Sequence, residues 1–132
     1  MSKFVMRIDF PPLDRLGRGK IELLERIRTE GSITNAGRAM GLSYRRAWML
    51  VAAMNRMFAT PVVESKRGGG GGGGASLTPF GAELIVRFRG MEAKAQKALA
   101  ADISWLEAAY VPPPESEAVD AATPGSRSAP RI

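Results

Sequence analysis

Cysteine and histidine are both absent from the 132 residues. Without cysteine there are no disulfides, thiol nucleophiles, iron–sulfur clusters or Cys-type zinc sites, and the composition fits a reducing compartment. Without histidine the His-based triads and dyads are excluded, and transition-metal ions lose their commonest nitrogen ligand. The carboxylates that remain, among them Asp9, Asp14, Glu22, Glu25, Glu30, Glu64, Glu83, Glu92 and Asp102, are scattered over separate elements. They form no general acid/base pair beside a cleft, so neither an enzyme nor a cofactor or metal site is expected. Long apolar runs are missing as well. Nothing approaches the roughly 20 residues needed to span a bilayer, and the N-terminus has no signal-peptide core, so a cytoplasmic protein with no membrane partner is expected.

What is present in excess is positive charge. Lys and Arg number 19 against 13 Asp and Glu, a net charge of +6 with a pI near 10.3. That is the electrostatic footprint of a phosphate-rich partner, although charge by itself does not choose one. The length is that of one domain with a modest core and room for a tail.

Phe4, Met6, Ile8 and Phe10 alternate with Val5, Arg7 and Asp9, the period of a half-buried strand, which Pro11-Pro12 stops. Asp14 to Gly19 then reads as a polar connection into a first helix at about Lys20 to Glu30, with Ile21, Leu24 and Ile27 as its inner stripe and Gly31 as its C-cap. Ser32 caps a short second helix whose Ile33, Ala36 and Ala39 or Met40 face inward. Its Thr34, Asn35 and Arg38 face water or phosphate, and Gly37 with the two alanines permits a close helix crossing.

Gly41 supplies a left-handed turn, Leu42 plugs the core, and Ser43 caps a third helix running to about Phe58. Ala47, Leu50 or Val51, Met54 and Phe58 recur at helical spacing and belong inside, which leaves Tyr44, Arg45, Trp48, Met49 and Ala52 on the opposite face. Two short helices around a tight turn, the second opening on Ser, Tyr and two Arg, are the pattern of a helix-turn-helix that presents its second helix to DNA. Arg45, in the first turn, is placed to take guanine O6 and N7 with both arms of its guanidinium, whereas Arg46 and Arg38 are expected to clamp phosphates. An ordinary solvated helix start with a core Trp48 would look similar, and Trp48 reads equally as packing or as a DNA contact.

After Pro61, Val62 to Lys66 has the β-branched content of a strand, and Ala75 to Leu77 is a candidate partner across Lys66, Arg67 and seven glycines, Gly68 to Gly74. This hairpin is expected to be a wing whose cations and bare amides approach a phosphodiester; the alternative is a loop that touches nothing. It is not a P-loop, because Gly74 is followed by Ala75-Ser76 rather than Lys and a hydroxyl residue. Nor is it a dinucleotide fingerprint, because Leu77-Thr78-Pro79 interrupts the strand–turn–helix unit.

Thr78-Pro79 starts a helix over 79–109, along which Leu84, Phe88, Met91, Ala95, Ala98 and Leu106 step at intervals of three and four. The helix is several turns longer than a small core needs, and an apolar seam of this kind suggests a partner helix. From Val111 the composition turns to Pro, Ser, Ala and acidic residues, so 111–132 is expected to be a disordered tail.

Gly31-Ser32-Ile33, Ala36-Gly37, Gly41-Leu42-Ser43-Tyr44, Ala47-Trp48, Met54-Asn55 and the glycine run closing on Leu77-Thr78-Pro79-Phe80-Gly81 together resemble the N-terminal DNA-binding domain of the ModE molybdate-responsive regulators. The broader outline, a Gly-Ser-Ile turn, a Leu-Ser before the recognition helix and a Leu-Thr-x-x-Gly entry to a long helix, is similar to the LysR-type winged domain. The resemblance covers roughly residues 4–105. It implies operator contacts from Ser43, Tyr44, Arg45 and Arg46 and from Arg67 in the wing, and a homodimer formed through the long helix. It also implies molybdate-binding domains after that helix; here a Pro/Ser/Ala stretch follows instead, and a molybdate response finds no assignable residue in this chain.

The expected fold is thus mostly α with a small β wing, a winged helix-turn-helix over 1–110 with a long C-terminal dimerisation helix. The expected function is sequence-specific regulation of molybdate-uptake or other molybdenum-related genes by a homodimer on a pseudo-palindromic double-stranded operator. Ser32, Thr34, Arg38, Ser43, Tyr44, Arg45, Arg46, Trp48, Lys66 and Arg67 are the expected DNA contacts. The competing readings are an oxyanion or small-molecule sensor and a dimerising adaptor, each acting through a partner protein.

Overall fold

The computed structural model describes residues 2–66 and 74–114. In chain order these form β1 (Arg7–Phe10), β2 (Asp14–Gly17), α1 (Arg18–Glu30), α2 (Ile33–Ala39), α3 (Tyr44–Met57), β3 (Val63–Lys66), β4 (Gly74–Leu77) and α4 (Pro79–Ala109). The architecture is a winged helix-turn-helix: three helices, a wing made of β3 and β4, and a long final helix.

Two expectations at the N-terminus need correction. Asp14 to Gly17 is a strand, not a connection, and pairs antiparallel with β1 in the register Ile8 to Leu16 and Phe10 to Asp14. Helix α1 consequently starts at Arg18 rather than Lys20. A segment reading Asp-Arg-Leu-Gly has little strand propensity of its own; the ladder to β1 and the burial of Leu16 supply what propensity does not.

The helical turns follow local chemistry closely. Gly31 sits at φ 74° and its N–H donates to the Ile27 carbonyl at 2.8 Å, a left-handed C-cap that side chains other than glycine adopt only with strain. Ser32 Oγ accepts from the Asn35 N–H at 2.9 Å and Ser43 Oγ from the Arg46 N–H at 3.1 Å, so each hydroxyl satisfies one orphan amide at the start of α2 and α3. Between those helices Gly41 takes φ 74°. Gly37 lies where an added Cβ would come within 2.6 Å of the Ala47 Cβ, which is the close crossing of α2 and α3.

The core is one cluster. Ile21, Leu23, Leu24 and Ile27 of α1, Ile33 and Ala36 of α2, and Ala47, Val51 and Met54 of α3 meet Val62, Val63 and Ala75 from the wing. Met40, Leu42, Leu50 and Phe58 pack partly buried around it, while Ala39 is exposed. Helix α4 closes the cluster with Leu84, Ile85 and Phe88. Each of these large side chains contributes on the order of 1.5–3 kcal/mol by leaving water. The role expected for Leu84 and Phe88 is therefore corrected: Phe88 is fully buried within this chain, and neither is free to meet a second copy. Met91 and Leu106 are exposed at 39% and 58%, as is Ala98, and Ala95 is half-buried. The even stepping along α4 marks one face, whose first turns are buried in the core while its later turns carry exposed residues.

The chain divides into two compact units, Lys3–Ala98 and a second made, among the described residues, of residue 2 and residues 99–114. In the second unit the Ser2 amide donates to the Glu107 carboxylate at 3.1 Å, and Leu99, Trp105, Leu106 and Tyr110 are exposed. Residues 111–114 have no regular structure, and 115–132, the rest of the expected tail, lie outside the described residues. No described helix is long and apolar enough to cross a membrane.

Helix α4 is seated by its first turn. Thr78 Oγ1 donates to the Pro61 carbonyl at 2.6 Å and accepts from the Gly81 N–H at 3.0 Å, and the Thr78 N–H donates to the Val62 carbonyl. Gly81 lies so close beneath that a Cβ there would fall 2.2 Å from the Val62 carbonyl oxygen, a backbone atom with nowhere to go. Gly81→Ala is expected to destabilise the fold by about 1–3 kcal/mol or more through overpacking, read as a fall in the denaturant midpoint at constant m-value.

Two ion pairs tie elements together. Arg56 holds Asp14 at 2.7 and 3.2 Å, and Arg89 holds Glu25 at 2.8 and 3.0 Å and Glu92 at 2.8 Å. Both Asp14 and Glu25 are pulled below the ordinary carboxylate range, chiefly by those hydrogen bonds. A carboxyl with a lowered folded pKa stabilises the fold above its unfolded value, about 4, and that contribution is lost as pH falls through the folded value. Melting temperature is therefore expected to decline on acidification below about pH 4. Glu25→Gln should remove part of the decline, about 0.5–1 kcal/mol for so exposed a pair.

Candidate nucleic-acid interface

Helix α3 turns its outer face to solvent along its whole length. At 3.6 residues per turn, Arg45, Met49, Ala52 and Arg56 lie opposite the buried stripe of Ala47, Val51 and Met54, with Tyr44 and Trp48 on one flank and Arg46 on the other. Tyr44 is 66% exposed, Trp48 42% and Met49 52%. The Tyr44 and Trp48 rings meet at 6.0 Å with a 50° tilt, one turn apart. Trp48 is thus not a core residue, and with Tyr44 it forms an exposed aromatic pair on its flank of α3.

Among the described residues the Arg45 and Arg46 guanidiniums have no hydrogen-bond or ion-pair partner. Arg56 differs, since both its terminal nitrogens are engaged by Asp14 and it is braced for structure. Arg38 on α2 is exposed and donates to the Asn35 side chain at 3.2 Å. Thr34 is half-buried beside it. The Ser32 and Ser43 oxygens accept cap hydrogen bonds and keep their own O–H for another acceptor.

The wing is brought to the flank of Tyr44 and Trp48 by a residue whose role the sequence pattern did not show. Asn55 Oδ1 accepts from the Val62 N–H at 2.8 Å and the Val63 N–H at 3.1 Å, and its Nδ2 donates to the Val63 carbonyl at 3.1 Å. One amide side chain thereby reproduces a strand partner and fixes where β3 departs from α3. A polar side chain next to the buried Met54 was the available signal. Strands β3 and β4 pair from Val63 with Leu77 to Lys66 with Gly74, leaving Lys66 exposed at the last rung. The Ala75 N–H also donates to the Gly31 carbonyl, anchoring the wing to the turn after α1. Arg67 and the glycines up to 73 lie outside the described residues.

An open depression of about 420 Å³ between α1 and α4 is lined by Arg18, Glu22, Glu25, Arg26, Thr29 and Arg89. Of its charges, Arg26, Glu22, Arg89 and Glu25 are paired with one another or with Glu92, so it offers little unspent charge to a ligand.

Residues 19–82 match the bacterial regulatory helix-turn-helix protein, lysR family. The molybdenum-pterin-binding protein MopB of Rhodobacter capsulatus is 46% identical over 85 residues, covering 64% of this chain and 32% of that protein. The molybdenum transport protein ModE of Azotobacter vinelandii is 37% identical over 94 residues, 71% of this chain and 35% of that one. The DNA-binding transcriptional dual regulator ModE of Escherichia coli (strain K12) is 39% identical over 66 residues, 50% and 25%. The chain carries a ModE-type DNA-binding domain. It spans a quarter to about a third of the length of these relatives. The matched family is one of regulatory DNA-binding proteins and not of enzymes.

In this ModE-type domain the match runs from α1 through the first turn of α4, and so contains Asn55, Thr78 and Gly81 together with the recognition helix. Asn55→Ala would leave two amides and a carbonyl at the wing root without partners. A loss of about 1–3 kcal/mol is expected, together with faster amide hydrogen exchange at Val62 and Val63.

Proposed function

We propose that this ModE-type domain binds duplex DNA sequence-specifically as a homodimer and serves a transcriptional regulator of molybdenum-related genes. The observation that carries the reading is the solvent face of α3, where Tyr44, Arg45, Trp48 and Met49 stand exposed and Arg45 is unspent on any described neighbour. Large apolar and aromatic groups are costly to leave in water, yet they match base methyls and sugar edges in a major groove. Arg45 is the base-reading residue, taking a guanine edge bidentately; Arg46, Arg38, Thr34, Ser32 and Ser43 hold phosphates; Lys66 and Arg67 contact the backbone from the wing. The names of the relatives supply the link to molybdenum, and the molybdate ligand itself is assigned to no residue of this chain.

The homodimer uses the later turns of the same face of α4, where Met91, Ala95, Ala98 and Leu106 remain available once Leu84 and Phe88 are subtracted. Two copies related by a two-fold axis would set their recognition helices about one DNA turn, ~34 Å, apart. Selection of bound sequences from random duplexes tests the reading: it should return two inverted half-sites at that spacing. Arg45→Ala should then weaken the selected site by about 1–3 kcal/mol more than random duplex. Equal weakening on both would make Arg45 a phosphate contact, and recovery of no preferred sequence would remove specific DNA binding altogether.

A further inference from the structure

The family match begins at residue 19, yet the two strands before it are tied to the recognition helix. Phe10 of β1 meets Phe58, at the end of α3, edge to face at 6.4 Å. Asp14 of β2 takes both arms of Arg56 from the solvent face of α3. Cross-strand partners share a face, so Ile8, Phe10, Asp14 and Leu16 turn inward, and Arg7, Asp9 and Arg15 turn outward.

This hairpin is a second arm beside α3. Asn55 ties the wing to the Tyr44 and Trp48 flank of the helix, while Arg46 lies on the other flank. Lys20, near the start of α1, donates from Nζ to the Arg15 carbonyl at 2.6 Å. Burial, and then the charges of Arg15, Arg46 and Arg56 working against Asp14, hold the Lys20 ammonium below the usual lysine range. Lys20, between strand β2 and α3, therefore lies in the fields of Arg15 and Arg46, while Arg56 is taken up by Asp14. The nearby carboxylates are spent: Asp14 on Arg56, and Asp9, which faces Arg15 across the ladder, on Arg7 at 2.7 and 3.0 Å. Among the described residues no carboxylate forms an ion pair with Arg15, Lys20 or Arg46.

We propose that the β1–β2 hairpin is a second backbone clamp, in which Arg15 and Lys20, together with Arg46, bind a DNA phosphate on the side of the recognition helix opposite the wing. A phosphodiester supplies the acceptor oxygens and the negative charge that the cluster lacks. Lys20 keeps two N–H donors beyond the one given to Arg15, and the Arg15 guanidinium is exposed. Such a contact sets register without reading sequence. The assignment rests on the duplex-binding reading above.

Binding of the whole chain to a selected duplex and to a random duplex of equal length, titrated from low to moderate salt, tests it. Arg15→Gln should weaken both by the same factor, about five- to tenfold at 0.1 M salt, and reduce the salt slope by about one. Its melting temperature should not change, because Arg15 is exposed and spends no side-chain hydrogen bond. Lys20→Gln should also weaken both duplexes by one factor, and Lys20→Arg should retain binding. Unchanged affinity and slope in Arg15→Gln, with Arg45→Ala still losing preference for the selected duplex, overturns the hairpin clamp and leaves the duplex reading intact. Failure of the unmodified chain to bind either duplex overturns both.

Discussion

The segment Pro61–Val63 is the joint on which the rest of the domain depends, since the recognition helix, the wing and the long helix all hold its backbone. Asn55 reaches it from α3 with three hydrogen bonds, and Thr78 reaches it from the start of α4 with its hydroxyl and its amide. Gly81 lets α4 lie directly on the Val62 carbonyl. Val62 and Val63 are themselves buried, so the polar backbone between two apolar side chains must be satisfied locally. Two side chains accomplish that, and in doing so they set the angle between the wing and the helix that carries Arg45.

Charge is sorted by the fold. Arg7, Arg26, Arg56, Arg87 and Arg89 are each spent on a carboxylate, mostly near the surface, where such pairs contribute little stability. Among the described residues Arg45 and Arg46 pair with no carboxylate, at the first turn of the helix that also exposes Tyr44 and Trp48. A net positive charge spread evenly would favour any polyanion. Concentrating unspent cations beside exposed rings favours a ligand with both phosphates and base edges.

Much of the architecture was legible because it rests on local rules. Gly31 and Gly41 take positive φ, Ser32 and Ser43 cap, and Thr78-Pro79 opens a helix with the bounds that its spacing indicated. Strand β2 was not legible, because Asp-Arg-Leu-Gly becomes a strand only through pairing with β1. The seam on α4 was legible as one face, but which of its turns are buried in the core was not, since a period of three and four does not say whether the facing atoms belong to the same chain. Asn55 stood in view in the family-like Met54-Asn55 pair, but its function lies in contacts to residues seven and eight positions onward, around a bend that no periodicity encodes.

The residue order alone determined the helix-turn-helix, its caps and turns, and the cation-bearing start of the recognition helix, because capping and left-handed glycine are matters of neighbouring residues. Tertiary structure decided which apolar residues of α4 are spent in the core, which arginines are taken up by a carboxylate, and that the N-terminal hairpin stands beside α3. Those outcomes depend on which distant side chains the fold brings to a shared carboxylate or cavity, and distance along the chain carries no record of them.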